Sequence, residues 1–274
     1  MSETVHIVEV GSRDGLQNER TPISIIDRIG FIKALLAAGL PTIEVGAFVS
    51  PMAIPQMVGS DEVLRGVNHL PGEFHVLVPN EKGYEASQAA GAKVIAIFAS
   101  ASEGFSLANI NCSVAESVER FKPVLARAKA DGIKARGYVS CVLGCPFEGE
   151  VKPQAIADVA EILFNLGCYE ISLGDTIGVG TPVKARQLIR AVAASVPVQN
   201  LALHFHDTYG QALESLRRAG RGRPCNRFRR RRPWRLPVCA WRVGQHRNRR
   251  RRLHARRHGD RDRHRYGEAA GSDE

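Results

Sequence analysis

The sequence has no apolar run near the roughly 20 residues that cross a bilayer, and its first residues lack the basic and apolar regions of a secretion signal. We therefore expect no membrane partner. The chain contains only six cysteines. Without a secretory context they are expected to be thiols in a reducing cytoplasm rather than disulfides.

Lysine is missing from the last part of the chain. Residues 217–274 contain 21 arginines, 5 acidic residues and no lysine, which is a net charge of +16. The overall charge of +10 hides an acidic remainder, in which 17 basic residues face 23 acidic ones. Residues 1–216 have the composition of a globular domain that is long enough to bury one substantial core.

Short β-branched runs alternate with helical stretches, which is typical of βα units around a parallel sheet. Ser24 and Ser113 are expected to cap two of the helices, and Gly39 and Gly132 to end them. Seven strands are predicted, at residues 5–10, 42–46, 74–78, 93–99, 135–141, 169–173 and 201–206.

No strand or helix is recognisable after about Leu216. A (β/α)8 barrel needs eight strands, and seven do not close its cylinder. The sequence therefore predicts an α/β fold of the TIM (β/α)8 type that is incomplete, with the eighth unit replaced by the Arg-rich segment.

Polar residues gather where these strands end. Barrel enzymes place their active sites at the C-terminal ends of the strands, so we expect these side chains to converge on one face. They are Arg13 and Asp14 after the first strand, Glu44 on the second, Tyr138, Ser140 and Cys141 on the fifth, Asp175 after the sixth, and His204 and His206 on the seventh.

His204 and His206 lie two residues apart on a predicted strand, so their side chains point to the same side. An isolated pair of this kind is usually two hydrogen-bonded core histidines. Asp14, at a matching strand end, shifts the balance toward a divalent metal site. Nitrogen and oxygen ligands admit Mg²⁺, Mn²⁺ or Zn²⁺. Asp207 faces the other way and is expected to cap the next helix.

The remaining charged residues have more than one interpretation. Arg13 is either an ordinary salt-bridge partner or a cation directed at a developing oxyanion. Glu44 and Asp175 either act as acid or base or are structural partners of Arg13. Cys141 and Cys145 are one residue too far apart for a C-x-x-C pair, so no redox motif or zinc cluster is predicted.

Six sequence blocks between residue 5 and about 213 carry a resemblance to a known family. The blocks are VEVGSRDGLQNE, IEVGAFVSPMAIPQM, NINCSVAES, GYVSCVLGCPFEGEV, SLGDTIGVGTP and HFHDTYGQAL. Together they resemble hydroxymethylglutaryl-CoA lyase of the bacterial type, a family of metal-dependent barrel enzymes. The resemblance implies a retro-Claisen cleavage of 3-hydroxy-3-methylglutaryl-CoA to acetyl-CoA and acetoacetate.

The resemblance also implies roles for individual residues. Asp14, His204 and His206 would hold Mg²⁺ or Mn²⁺, and Arg13 would stabilise the enolate oxygen. Glu44 and Asp175 would support catalysis. The residues that would bind the acyl-CoA substrate are Arg13, Gln17, Tyr138, Ser140 and Cys141. Another carbon–carbon lyase or synthase of the same barrel class, such as an isopropylmalate-synthase-like enzyme, is the alternative, which the CVLGCPFEG block disfavours.

The chain lacks two features of that family, a G-G-C-P-Y-A loop with a catalytic Cys and a metal-binding Asn after it. Arginine without lysine is typical of a GC-rich gene read out of frame. Residues 233–248 can be encoded so that skipping one nucleotide gives LGGCPYAPGASGNIA. We therefore interpret the reading frame as changed near residues 214–218.

This interpretation divides the chain into a truncated metal-dependent lyase barrel, residues 1–216, and a frameshifted tail, residues 217–274. The tail carries too much charge to bury apolar surface and is expected to be disordered. Activity of this chain is then expected to be impaired, and a homodimer remains possible if the frame is restored. No specific nucleic-acid partner is expected, because nucleic-acid arms mix lysine with arginine. The alternative is a non-functional product whose basic tail binds nucleic acid non-specifically.

Overall fold

The computed structural model describes residues 5–219 and 234–236. The chain divides at Trp241, and all of these residues belong to its first unit. Most of the predicted tail lies outside the described residues. None of the helices described here has the length and apolar content that crossing a membrane requires.

Eight parallel strands form a closed barrel in which each strand pairs with its neighbours in chain order and β8 returns to β1. The strands are β1 (Val5–Glu9), β2 (Thr42–Ala47), β3 (Glu73–Leu77), β4 (Val94–Ser100), β5 (Lys134–Ser140), β6 (Glu170–Asp175), β7 (Leu201–Phe205) and β8 (Trp234–Leu236). The helices are α1 (Ile25–Ala37), α2 (Ser60–Val67), α3 (Glu81–Ala89), α4 (Glu103–Ile110), α5 (Val114–Ala130), α6 (Pro153–Asn165), α7 (Pro182–Val192) and α8 (Ala212–Ala219).

The barrel class and the seven predicted strands are confirmed. The expectation that no strand follows Leu216 is corrected, because β8 pairs with β1 through Val5 and Trp234 and with β7 through Ala202 and Arg235. Strand pairing uses main-chain N–H and C=O groups, which an Arg-rich segment supplies as well as any other non-proline segment. A strand of three residues is too short to show periodicity in the sequence.

The predicted helix signals are confirmed at α1 and α5. The hydroxyl of Ser24 accepts from the main chain of Asp27, and Ser113 and Glu116 form a reciprocal capping box at the start of α5. Gly39 and Gly132 follow these helices with φ of 85° and 68°. That left-handed conformation is accessible to glycine at little cost, and it ends both helices.

Side chains alternate between two environments along each strand. Outward residues such as Ile43, Ile95 and Leu203 join the apolar core between the sheet and the helices. Many inward residues are polar and buried. They include Glu44, His75, Arg136, Ser172 and His204. Since barrel interiors usually hold branched apolar residues, this interior is unusually polar and concentrates charge beneath the C-terminal ends of the strands.

Candidate metal centre

The segment after β1 is a π-helical turn, Gly11–Gly15, which directs Arg13 and Asp14 into the barrel. The carbonyl of Val10 accepts from the main-chain N–H of Asp14 at 2.7 Å and of Gly15 at 3.4 Å. Both charged side chains are buried. Single π-helical turns are rare and are often found at functional sites.

Asp14, His204 and His206 converge as the sequence predicts. Each offers one ligand atom, and these atoms all lie within 4.8 Å of one another. His206 Nε2 is 3.2 Å and His204 Nε2 3.6 Å from Asp14 Oδ2, and the two Nε2 atoms are 3.1 Å apart. In the described part of the chain, this is the one group of three or more His, Cys, Asp or Glu residues close enough to hold a metal ion.

Hydrogen bonds around the three residues orient their ligand atoms. His206 Nδ1 donates to the carbonyl of Thr176 at 2.8 Å, so its Nε2 lone pair faces Asp14. Asp14 Oδ1 accepts from Arg13 Nη1 at 3.2 Å and from Gln17 Nε2 at 3.1 Å. Asp14 Oδ2 is thereby directed at the imidazoles, and the three side chains fit a divalent cation.

The protonation states of the ligands agree with this fit. Burial alone would raise the pKa of Asp14, but the Arg13 guanidinium and the two imidazoles bring that pKa well below its ordinary value. Burial lowers the pKa of His204, and Asp14 opposes this only in part. Asp14 is therefore a carboxylate and His204 a neutral imidazole, which are the forms that bind metals.

Arg13 and Glu44 form a buried two-point ion pair. Arg13 Nε donates to Glu44 Oε1 at 3.0 Å and Arg13 Nη2 to Glu44 Oε2 at 3.2 Å. The Tyr138 hydroxyl donates to the same Oε2 at 2.7 Å. Burial would raise the pKa of Glu44, but Arg13 and Tyr138 lower it overall. Glu44 is therefore an ionised partner that orients Arg13 and Tyr138.

Asp175 lies beside the metal centre and shapes the loop after β6. Its carboxylate oxygens accept from the main-chain N–H groups of Val179 at 3.2 Å and of Gly180 at 2.8 Å. Burial raises its pKa, and those two hydrogen bonds oppose the shift. Asp175 is not one of the three residues whose ligand atoms converge. Its carboxylate instead binds the loop that also contains Thr176, whose carbonyl contacts His206.

The end of β5 supplies Ser140 and Cys141. Cys141 is fully buried, has a φ of 63° and donates its main-chain N–H to the Thr176 hydroxyl at 2.8 Å. Burial and the neighbouring Cys145 raise the pKa of the Cys141 thiol to about 12. Cys141 is thus a neutral thiol at physiological pH, while Ser140 is half-buried.

An apolar cluster lies beside Tyr138. It consists of Ala47, Met57, Leu77, Ala96 and Tyr138, with Leu16, Val49, Ile54 and Phe98 packed against it. The Tyr138 ring also meets His204 edge-on at 5.9 Å between centroids. Tyr138 therefore separates an apolar wall from the charged centre.

A family model described as HMGL-like matches residues 4–219. The chain belongs to this family. A 3-hydroxy-3-isohexenylglutaryl-CoA/hydroxy-methylglutaryl-CoA lyase of Pseudomonas aeruginosa is 55% identical to this HMGL-like chain over 217 residues, which is 79% of this chain and 72% of the relative. The resemblance indicated by the sequence blocks is confirmed.

Solved structures agree with the HMGL-like assignment. A crystal structure of hydroxymethylglutaryl-CoA lyase from P. aeruginosa has a TM-score of 0.78 at 55% identity, covering 80% of this chain and 73% of that one. An HMG-CoA lyase from Acinetobacter baumannii, solved with coenzyme A and 3-methylmalate, has a TM-score of 0.77 at 30% identity and covers 85% of this chain and 74% of that one.

The sequence did not reveal the role of Thr176 in this HMGL-like site. Its carbonyl holds His206, and its hydroxyl holds the main chain at Cys141. The available signal was its position directly after the sixth strand, beside Asp175. Asp207 caps α8 as expected, because its Oδ1 accepts from the main-chain N–H of Ala212 at 2.9 Å.

Proposed function

We propose that this protein cleaves 3-hydroxy-3-methylglutaryl-CoA to acetyl-CoA and acetoacetate. The observation that carries the proposal is the convergence of Asp14, His204 and His206 on one point beside the buried guanidinium of Arg13. The lyase relatives and the coenzyme A complex of the A. baumannii protein support it.

The reaction moves one proton and breaks one carbon–carbon bond. The C3 hydroxyl loses its proton, the C2–C3 bond breaks, and C3 becomes the ketone of acetoacetate. The bond electrons form the enolate of acetyl-CoA, which is then protonated at C2. Asp14, His204 and His206 would hold a divalent ion, in our proposal Mg²⁺ or Mn²⁺, which would supply a lowered pKa of the substrate hydroxyl.

In this proposal, Arg13 stabilises the enolate oxygen. Its guanidinium has five N–H groups, of which two bind Glu44 and one binds Asp14. Two remain for the substrate. A preorganised donor of this kind lowers the barrier by about 3 kcal/mol.

Glu44 and Asp175 contribute to catalysis by positioning other groups. Glu44 already accepts three hydrogen bonds from Arg13 and Tyr138, so it holds Arg13 in place. Asp175 fixes the loop that contains Thr176, and Thr176 orients His206. We assign substrate contacts to Arg13, Gln17, Tyr138, Ser140 and Cys141.

A substrate with a longer C3 substituent is the second candidate. The P. aeruginosa relative is named for 3-hydroxy-3-isohexenylglutaryl-CoA as well as for the methyl compound. The apolar cluster beside Tyr138 favours an apolar substituent next to the metal centre. Steady-state comparison of both thioesters decides between them, since a methyl-specific site turns over only the shorter one.

We propose that the frame change impairs this chain. The HMGL-like match ends at residue 219, three residues into the Arg-rich segment, and the segment supplies neither the family loop Cys nor the Asn ligand. The test compares acetoacetate formation by this chain with that by a version whose frame is restored at codons 214–218. We expect turnover only from the frame-restored protein, and comparable turnover by both refutes the impairment.

A further inference from the structure

The two imidazoles of the metal centre are supported unequally. His206 Nδ1 donates to the carbonyl of Thr176 at 2.8 Å. His204 Nδ1 is buried and has no hydrogen-bond partner among the described residues. A metal-bound histidine normally donates its second ring N–H to an oxygen, which fixes its tautomer and orientation. His204 therefore lacks, among the described residues, the acceptor that would orient its ring.

Ser172 lies on the strand next to His204. On β6, it stands in register with Tyr138 of β5, and Gly174 of β6 stands in register with His204 of β7. Ser172 therefore points into the barrel, as Tyr138 does, one inward position below the level of His204. Tyr138, which is in register with Ser172, also contacts His204, since the two ring centroids are 5.9 Å apart.

Like Nδ1 of His204, the Ser172 hydroxyl lacks a hydrogen-bond partner among the described residues. Ser172 is fully buried, and within residues 5–219 its Oγ contacts no hydrogen-bond partner. A buried polar group without a partner costs about 1–3 kcal/mol. Two such groups with complementary chemistry therefore lie on adjacent strands, and both face the interior.

The distance between them suits one hydrogen-bonded link. Neighbouring strands are about 4.8 Å apart and residues two apart on a strand about 6.6 Å, so the two Cα atoms lie about 8 Å apart. A serine side chain, one water molecule and an imidazole span that distance. Gly174, which is opposite His204, places no side chain between them.

We propose that Ser172 is a positioning residue of the metal centre, whose hydroxyl accepts the Nδ1–H of His204 through one bridging water. The link holds the His204 ring with its Nε2 lone pair toward Asp14. This inference rests on the proposed metal centre. It concerns the orientation of His204 as a metal ligand and not the chemistry of the substrate.

The test measures metal affinity in the full chain, with no need for turnover. Free Mn²⁺ is followed by electron paramagnetic resonance during titration of the unmodified chain, Ser172→Ala and Ser106→Ala. Ser106 is the matched control, because it too is a buried serine whose Oγ has no partner among the described residues, and it lies on α4. Ser172→Thr, which keeps the hydroxyl, is the conservative variant.

We expect Ser172→Ala to weaken Mn²⁺ binding by about 10- to 100-fold. Ser106→Ala stays within about twofold, and Ser172→Thr binds more tightly than Ser172→Ala. Without metal, Ser172→Ala shifts the thermal midpoint no more than Ser106→Ala does, because each variant loses one buried hydroxyl. Equal Mn²⁺ affinity of Ser172→Ala and Ser106→Ala overturns the role of Ser172 but not the metal centre. Absence of Mn²⁺ binding by the unmodified chain overturns the inference that Asp14, His204 and His206 hold the ion without the missing Asn.

Discussion

Glu44 is the buried carboxylate that compensates the charge of Arg13 through two hydrogen bonds. Its fully buried carboxylate receives two hydrogen bonds from Arg13 and one from Tyr138. Glu44→Gln keeps the size of the side chain and removes its charge. The amide oxygen can accept at only one of the two positions, so the amide NH2 faces a donor at the other.

The expected cost follows from the charge that is left behind. Removing one partner of a buried ion pair destabilises a protein by about 3–5 kcal/mol. Asp14 Oδ1 still lies 3.2 Å from Arg13 Nη1 and compensates part of the guanidinium charge. We therefore expect Glu44→Gln to lower the free energy of unfolding by about 3 kcal/mol, the lower end of that range.

Urea denaturation of the metal-free chain measures this loss as a shift in midpoint at constant slope. Glu85→Gln is the control, because Glu85 pairs with Arg127 at 2.7 Å but is 59% exposed, and it should cost at most about 1 kcal/mol. Adding Arg13→Met to Glu44→Gln should recover part of the loss, because it removes the uncompensated charge. If Glu44→Gln costs no more than Glu85→Gln, the buried network does not stabilise the fold as argued.

Three further predictions concern single side chains. Cys141, whose burial raises its pKa to about 12, should resist iodoacetamide at pH 8 until urea unfolds the chain, and mass spectrometry showing rapid native labelling would contradict this. Burial and the Asp131 hydrogen bond raise the pKa of Tyr84 from 10.0 to about 12, so its stabilisation is present below pH 10 and lost as pH rises through 12. Between pH 10 and pH 12, Tyr84→Phe should therefore lose less free energy of unfolding than the unmodified chain, as measured by urea midpoints. Equal losses in the two proteins count against the raised pKa of Tyr84. Ser113→Ala removes the α5 cap and should lower the free energy of unfolding by about 1 kcal/mol, while an unchanged urea midpoint contradicts it.

Seven strands could be predicted from the sequence because buried parallel strands give short β-branched runs bounded by turn signals. The capping serines and helix-ending glycines added local evidence, and the structure confirms Ser24, Ser113, Gly39 and Gly132. β8 could not be predicted in this way. Its three residues carry no periodic pattern, and its pairing with β1 and β7 depends on main-chain groups that composition does not reveal.

The convergence of the metal centre could also be predicted. His204 and His206 share a strand face, and a barrel brings Asp14 to the same end. The contact between His206 and the carbonyl of Thr176 could not be predicted, because it depends on how the chain turns after β6. The sequence left Glu44 open between an acid or base and a partner of Arg13, and its hydrogen bonds favour the partner role.

We propose that a divalent ion held by Asp14, His204 and His206 makes the carbon–carbon cleavage possible. The most direct test of this proposal is acetoacetate formation from 3-hydroxy-3-methylglutaryl-CoA by the frame-restored protein before chelation, after chelation and after Mg²⁺ or Mn²⁺ is added back. We predict that turnover disappears on chelation and returns with the ion, and that His206→Ala shows no such recovery. Undiminished turnover after complete chelation, or in the His206→Ala variant, would contradict the account.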